Sequence, residues 1–145
     1  MATEKFHYGY LIKCINDMLC RQTNSYMQAH NLTLSQFQVL MFLYHSKDGY
    51  AVLKDVESFF HIAQSTSAGI VSRLEKKSLI EGSVDSVDRR IKRLHITETG
   101  RQICRKTKLS MEKAEQQMLS GLSDSERTEF TVLLKKVYES LTKIE

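Results

Sequence analysis

A mainly α-helical chain with one small β ribbon is the fold class that three observations predict. Apolar residues recur at spacings of three and four through most of the chain, as on the buried faces of helices. Proline is absent from all 145 residues, which suits helix. Only two short runs alternate as half-buried strands do: Ile80, Gly82 and Val84 with Glu81 and Ser83 between them, and Leu94 and Ile96 beside Arg93 and His95.

The bulk numbers narrow the class. A chain of 145 residues is expected to form one domain with its own core. Its 41% apolar and 26% charged residues are ordinary for a globular protein. No apolar run approaches the roughly 18 residues of a membrane span. The start, MATEKFHYGY, lacks the apolar segment of a secretory signal, so a cytoplasmic protein without membrane contact is expected. Cys14, Cys20 and Cys104 are odd in number and form no Cys-x-x-Cys pair. Neither a disulfide framework nor a metal site is expected. No catalytic dyad or phosphate-binding glycine loop is visible, so the chain is expected to be no enzyme and to carry no cofactor.

Residues 5–30 read as a long helix, with Leu11, Cys14, Ile15, Met18 and Leu19 in one apolar stripe and Phe6, Tyr8 and Tyr10 at its start. Residues 33–46 follow as a second helix. Thr33 and Gln36 have the spacing of a capping box, and Leu32 with Phe37 that of a hydrophobic staple. Phe37, Leu40, Met41 and Tyr44 line its inward face. Lys47-Asp48-Gly49 ends it, and Tyr50-Ala51 is a candidate third strand. Residues 52–60 form a short helix with Val52, Val56 and either Phe59 or Phe60 inward.

The run Gln64 to Ile80 carries the next helix. Ser67, Ile70, Val71 and Leu74 share one face, whereas Ser65, Ala68, Gly69, Ser72 and Lys76 share the opposite one, with Arg73 on its flank. Small residues let a helix approach a groove closely, and hydroxyls can meet base edges or phosphates. Between the two strands lies DSVDRRIKR, Asp85 to Arg93. Asp85 and Asp88 supply turn chemistry, while Arg89, Arg90, Lys92 and Arg93 place four cations within five residues. Such a tip suits a phosphate backbone or a minor groove.

After the ribbon, Thr97 and Thr99 are both candidate caps for a helix running to about Leu119. Its stripe is Ile103, Thr107, Met111, Ala114 and Met118, and Arg101, Arg105 and Lys108 lie near its start. Gly121-Leu122 breaks it. Ser123 with Glu126 caps a last helix whose stripe is Phe130, Leu133, Val137, Leu141 and Ile144.

Charge is unevenly placed along the chain. Residues 62–113 hold 12 Lys/Arg against 6 Asp/Glu, whereas residues 114–145 hold 4 against 6. The excess sits on the helix-and-ribbon stretch and points to an anionic partner.

The run DRRIKRLHIT, Asp88 to Thr97, preceded by RLEKKSLI, resembles the MarR family of winged helix-turn-helix transcription regulators. Asp88 and Arg90 match the family's Asp-x-Arg pair, and Ile96-Thr97 matches the end of its second wing strand. The flanking helices fall in the family's order, so the resemblance covers nearly the whole chain. Ser78 stands where the family usually has a glycine, at a position that often needs positive φ.

The resemblance implies a single domain over 1–145, in which 33–97 form a winged helix-turn-helix lobe and 1–32 and 98–145 supply dimerisation helices. A homodimer would bring two recognition helices to successive major grooves of a pseudo-palindromic double-stranded DNA site. Candidate DNA contacts are Gln64, Ser65, Thr66, Gly69, Ser72 and Arg73 on the helix. On the wing they are Asp88, Arg89, Arg90, Lys92 and Arg93, with Arg90 in the minor groove. Family members usually repress transcription and release DNA on binding a small, often phenolic or otherwise aromatic effector. That implies a pocket near Tyr10, Cys14, Phe37, Met41, Tyr44 and His45. Two alternatives stand beside this: a winged-helix protein-interaction module without DNA binding, and a thiol-based redox-sensing regulator. Cys14 lies in the region where a peroxide-sensing branch of the family carries its reactive cysteine.

Overall fold

The computed structural model describes residues 7–143. Phe6 and Ile144, which the periodicity assigns to apolar stripes, lie outside the described residues, as does the expected helix start at residue 5. The elements in chain order are α1 (Tyr8–Ala29), α2 (Leu34–His45), a 3-10 turn (Lys47–Gly49), β1 (Tyr50–Val52), α3 (Leu53–Phe60), α4 (Gln64–Lys76), β2 (Ile80–Val84), β3 (Lys92–Ile96), α5 (Glu98–Met118) and α6 (Asp124–Thr142).

The helix starts are set by side chains that satisfy otherwise orphaned amides. At α2, Thr33 Oγ1 accepts from the Gln36 amide at 3.3 Å and Gln36 Oε1 accepts from the Thr33 amide at 3.4 Å, so the expected capping box forms. At α6, Ser123 and Glu126 do the same. At α5 the choice between two threonines falls to Thr97, whose hydroxyl accepts from the Gly100 amide at 3.1 Å. The same hydroxyl lies 2.8 Å from the Ser78 carbonyl and 3.0 Å from that of Leu79, which latches α5 onto the turn after α4. Gly100 makes that closeness feasible. A Cβ there would strike the Leu79 carbonyl and sit 2.8 Å from Ile96 Cγ1.

The core is built around α2. Val39, Leu40 and Leu43 are buried together with Phe37, so α2 is covered on more than the single face its spacing suggested. It packs against α4, α5 and β3, while Met41 and Tyr44 stay half-buried at the edge. Ile70, Val71 and Leu74 from α4, Ile80, Leu94 and Ile96 from the sheet, and Ile103 and Cys104 from α5 complete the core. In α3 it is Val56 and Phe60 that turn inward; Phe59 is 63% exposed.

The three strands form one antiparallel sheet in the order β1-β3-β2. β1 pairs Tyr50 with His95 and Ala51 with Leu94; β2 pairs Ile80 with Ile96, Gly82 with Leu94 and Val84 with Lys92. The Tyr50 and His95 rings stack at 4.2 Å. Only Ile80 of β2 is buried, so the alternation there does not bury the whole strand. From the Gly82–Leu94 pair toward the tip, the ribbon leaves the core and projects into solvent.

α1 packs along α5. No residue of α6 is buried, and its stripe of Phe130, Leu133, Val137 and Leu141 is open, as are Met18 of α1 and Met111 and Met118 of α5. No helix among the described residues is long and apolar enough to cross a membrane.

Candidate nucleic-acid interface

The recognition unit is α3, a tight turn and α4. His61 ends α3 in the left-handed region at φ 51°, which reverses the chain within three residues. Ser67, buried at the start of α4, donates toward Gln64 O at 2.9 Å and toward Glu57 Oε1 of α3 at 3.3 Å. At the other end of α4, Lys77 Nζ donates to Gln36 Oε1 at 2.8 Å and to the Asn31 carbonyl. The helix is thus held at both ends, and its buried face is the one the spacing predicts: Ser67, Ile70, Val71 and Leu74.

The opposite face is open. Gln64, Ser65, Thr66 and Arg73 are exposed, and Gly69 and Ser72 are half-buried. Arg73 lies back along the helix, its Nη1 4.0 Å from where a Cβ on Gly69 would stand. The six helix candidates therefore share one accessible surface of small and polar groups with a guanidinium at its edge. α4 ends at Lys76, and Ser78 then takes φ 56°, the left-handed conformation for which glycine is better suited.

The wing tip is locked by two carboxylates. Asp85, largely buried, accepts from the amides of Val87 at 2.8 Å and Asp88 at 3.0 Å and from Arg93 Nε at 2.6 Å. These bonds, the amides of Asp88 and Val87 first and then Arg93, hold its carboxyl below the usual carboxylate range. Asp88 accepts from the Arg90 amide at 3.0 Å and lies 3.8 Å from Arg90 Nε.

The four wing cations are not equivalent. Arg93 is paired to Asp85, and Lys92 to Glu75 of α4 at 2.9 Å. Arg89 is exposed, and the Arg90 side chain is 95% exposed with only the Asp88 carboxylate near it. Arg101 donates to the Asp48 carbonyl at 2.9 Å and Arg105 pairs with Glu98, so the start of α5 offers less free charge than its sequence suggests. Glu75 is the residue that sequence reasoning passed over. It is an acid in the last turn of a basic helix, and it ties α4 to the ribbon. Gly82 lies beneath that tie; a Cβ there would strike the Glu75 carboxylate and come 2.5 Å from Lys92 Cε.

The implied effector residues fall in two places. Phe37, Met41 and His45 line a cleft of about 550 Å³ between α2 and α3, with Phe42, Phe59 and Phe60. Tyr44 is absent from its lining and meets His45 edge-on at 5.3 Å. Tyr10 and Cys14 lie together on α1, where the phenol O–H donating to the Cys14 sulfur raises the Tyr10 pKa. Cys104 is buried, and burial pushes its thiol up to about 12, so it stays protonated. Among the described residues no cluster of His, Cys, Asp and Glu could hold a metal ion.

A model of the MarR family matches residues 30–91, the span from the α1–α2 turn to the wing tip. In this stretch the chain is similar to the MarR family. Over 115 residues it is 28% identical to the HTH-type transcriptional regulator YwaE of Bacillus subtilis, covering 79% of this chain and 66% of YwaE. Over 125 residues it is 29% identical to the HTH-type transcriptional regulator MhqR of the same organism, covering 86% of this chain and 82% of MhqR. The structure of Staphylococcus aureus MepR with DNA superposes with a TM-score of 0.79 at 25% identity, covering 92% of this chain and 99% of MepR. The helix-and-ribbon unit is thus a winged helix-turn-helix like that of MepR, and the relatives it matches are named as transcriptional regulators, not enzymes.

Proposed function

We propose that this chain is a MarR-type homodimeric, sequence-specific regulator that binds double-stranded DNA in the cytoplasm. The observation that carries the reading is the pairing of two open surfaces on one clamped unit. One is the small, polar outer face of α4; the other is the locked wing tip, where Arg89 is exposed and Arg90 has only a long, exposed pairing with Asp88. The likeness to DNA-bound MepR supports it. Gln64 has the amide that can meet adenine and Arg73 the guanidinium that can meet guanine. Arg90 enters the minor groove with Asp88 at its base, and Arg89 meets phosphate. Lys92 and Arg93 support the wing from within.

The open apolar residues of α1, α5 and α6 support dimerisation, because a second copy would cover them. The two α4 helices then reach successive major grooves about 34 Å apart. Release of DNA, and so relief of repression, follows from a small aromatic molecule in the cleft of Phe37, Met41 and His45, whose size lies in the range of ligand pockets. Selection from a randomised duplex library tests the reading. An enriched inverted repeat is the expected result. A protein that enriches no sequence, or a Leu133→Asp variant that stays dimeric in sedimentation, counts against it.

A further inference from the structure

The wing tip carries apolar side chains where an electrostatic loop needs none. Val87 is 94% exposed, Val84 is 60% exposed, and Ile91 is open as well. A single exposed valine is ordinary, but this one stands on a built support. Its own amide and that of Asp88 are tied to Asp85, the Arg90 amide is tied to Asp88, and Asp85 and Ile91 close the ribbon through the Asp85 amide and the Ile91 carbonyl at 2.9 Å. A side chain on so fixed a turn loses little freedom when it is buried against a partner. Two exposed cations, Arg89 and Arg90, follow Val87 on the same tip. The ribbon that carries it is tied to α4 by the Lys92–Glu75 ion pair, so wing and helix are held as one unit.

We propose that Val87 is an apolar wedge that enters the minor groove beside each half-site and loosens a base step there, an inference that rests on the DNA-binding reading above. Minor-groove proteins combine basic residues with apolar wedges that partly unstack a step and bend the duplex. Valine is short, so the kink sits at the low end of that range, about 20° per wing. Pyrimidine–purine steps open most readily. The flanks of the site therefore favour TA or CA steps although no base edge is hydrogen-bonded there. Arg89 holds the backbone, Arg90 lies in the same groove, and Val87 supplies the discrimination.

The test uses the full chain and duplexes that the wild type enriches from a randomised library. 2-Aminopurine is placed at successive flanking steps, and end-to-end energy transfer reports the bend. Wild type raises the fluorescence at one step on each flank. Val87→Ser, which keeps every amide bond of the turn, loses that rise and weakens binding about tenfold per wing, and so about a hundredfold for the dimer, the worth of burying two valine side chains. Val87→Leu keeps the rise. Arg90→Ala weakens binding, yet the duplex it still holds keeps the rise, which separates charge from wedge. An unchanged rise with Val87→Ser, or enriched sites whose flanks stay stacked under wild type, overturns the wedge while leaving DNA binding intact. Failure to enrich any sequence overturns both.

Discussion

Replacing Arg90 with alanine removes a cation that the protein itself leaves almost fully exposed, and its effect on salt dependence can be worked out. Arg90 is 95% exposed and has a single weak ion-pair contact. A dimer loses two such cations. Each phosphate contact contributes about 0.9 to the slope of log affinity against log salt, so Arg90→Ala should flatten that slope by about 1.8. Between about 50 and 200 mM salt, the ratio of wild-type to variant affinity should then shrink about twelvefold. The control is the charge-neutral pair Glu75→Gln with Lys92→Met. It removes an ion pair worth at most about 1 kcal/mol at this exposure and leaves the net charge unchanged. Its slope should match that of wild type. Fluorescence anisotropy on an enriched duplex reads all three. A slope that Arg90→Ala leaves alone, or that the neutral pair flattens by the same amount, would refute the division of the wing into free and neutralised cations.

Other changes probe the scaffold. Gly100→Ala places a methyl against the Leu79 carbonyl and Ile96, and should lower stability in urea by about 1–3 kcal/mol. Ser78→Gly relieves a left-handed serine at φ 56° and should raise the urea midpoint, with a gain of about 1 kcal/mol at most once the added chain freedom is offset. Asp85 has a lowered carboxyl pKa when folded, so its contribution is complete above the ordinary carboxylate value and is lost as pH falls through the folded one. The amides of Val87 and Asp88 should therefore lose exchange protection in acid below the usual carboxylate range, and Asp85→Asn should remove that step.

Most of the fold was legible because it is written in local chemistry. Thr33 with Gln36 and Ser123 with Glu126 mark helix starts that the structure reproduces, and Leu94 with Ile96 marks a strand that the core needs on one face. Tertiary surroundings set what spacing left open. Thr97 caps α5 in preference to Thr99 because the Ser78 and Leu79 carbonyls lie beside its hydroxyl. α2 is buried on several sides because α4 and α5 flank it, which a stripe read along one helix does not foresee. At the interface the face of α4 was readable, since Ser67, Ile70 and Leu74 had to point inward. Which wing cations are free was not. The partners of Lys92 and Arg93 are Glu75 and Asp85, 17 and 8 residues away, and only the ribbon's return brings them together. The cleft likewise draws Phe37, Met41 and His45 from one helix and Phe59 and Phe60 from the next, a joining of α2 and α3 that follows from packing rather than from any motif.

Hydroxyl-radical footprinting of an enriched duplex, wild type beside Arg90→Ala, tests the central claim most directly. Two protected half-sites about one helical turn apart, each flanked by a minor groove whose protection Arg90→Ala reduces, are the predicted pattern. Protection on one side only, or a uniform loss of cleavage that Arg90→Ala does not change, would contradict it.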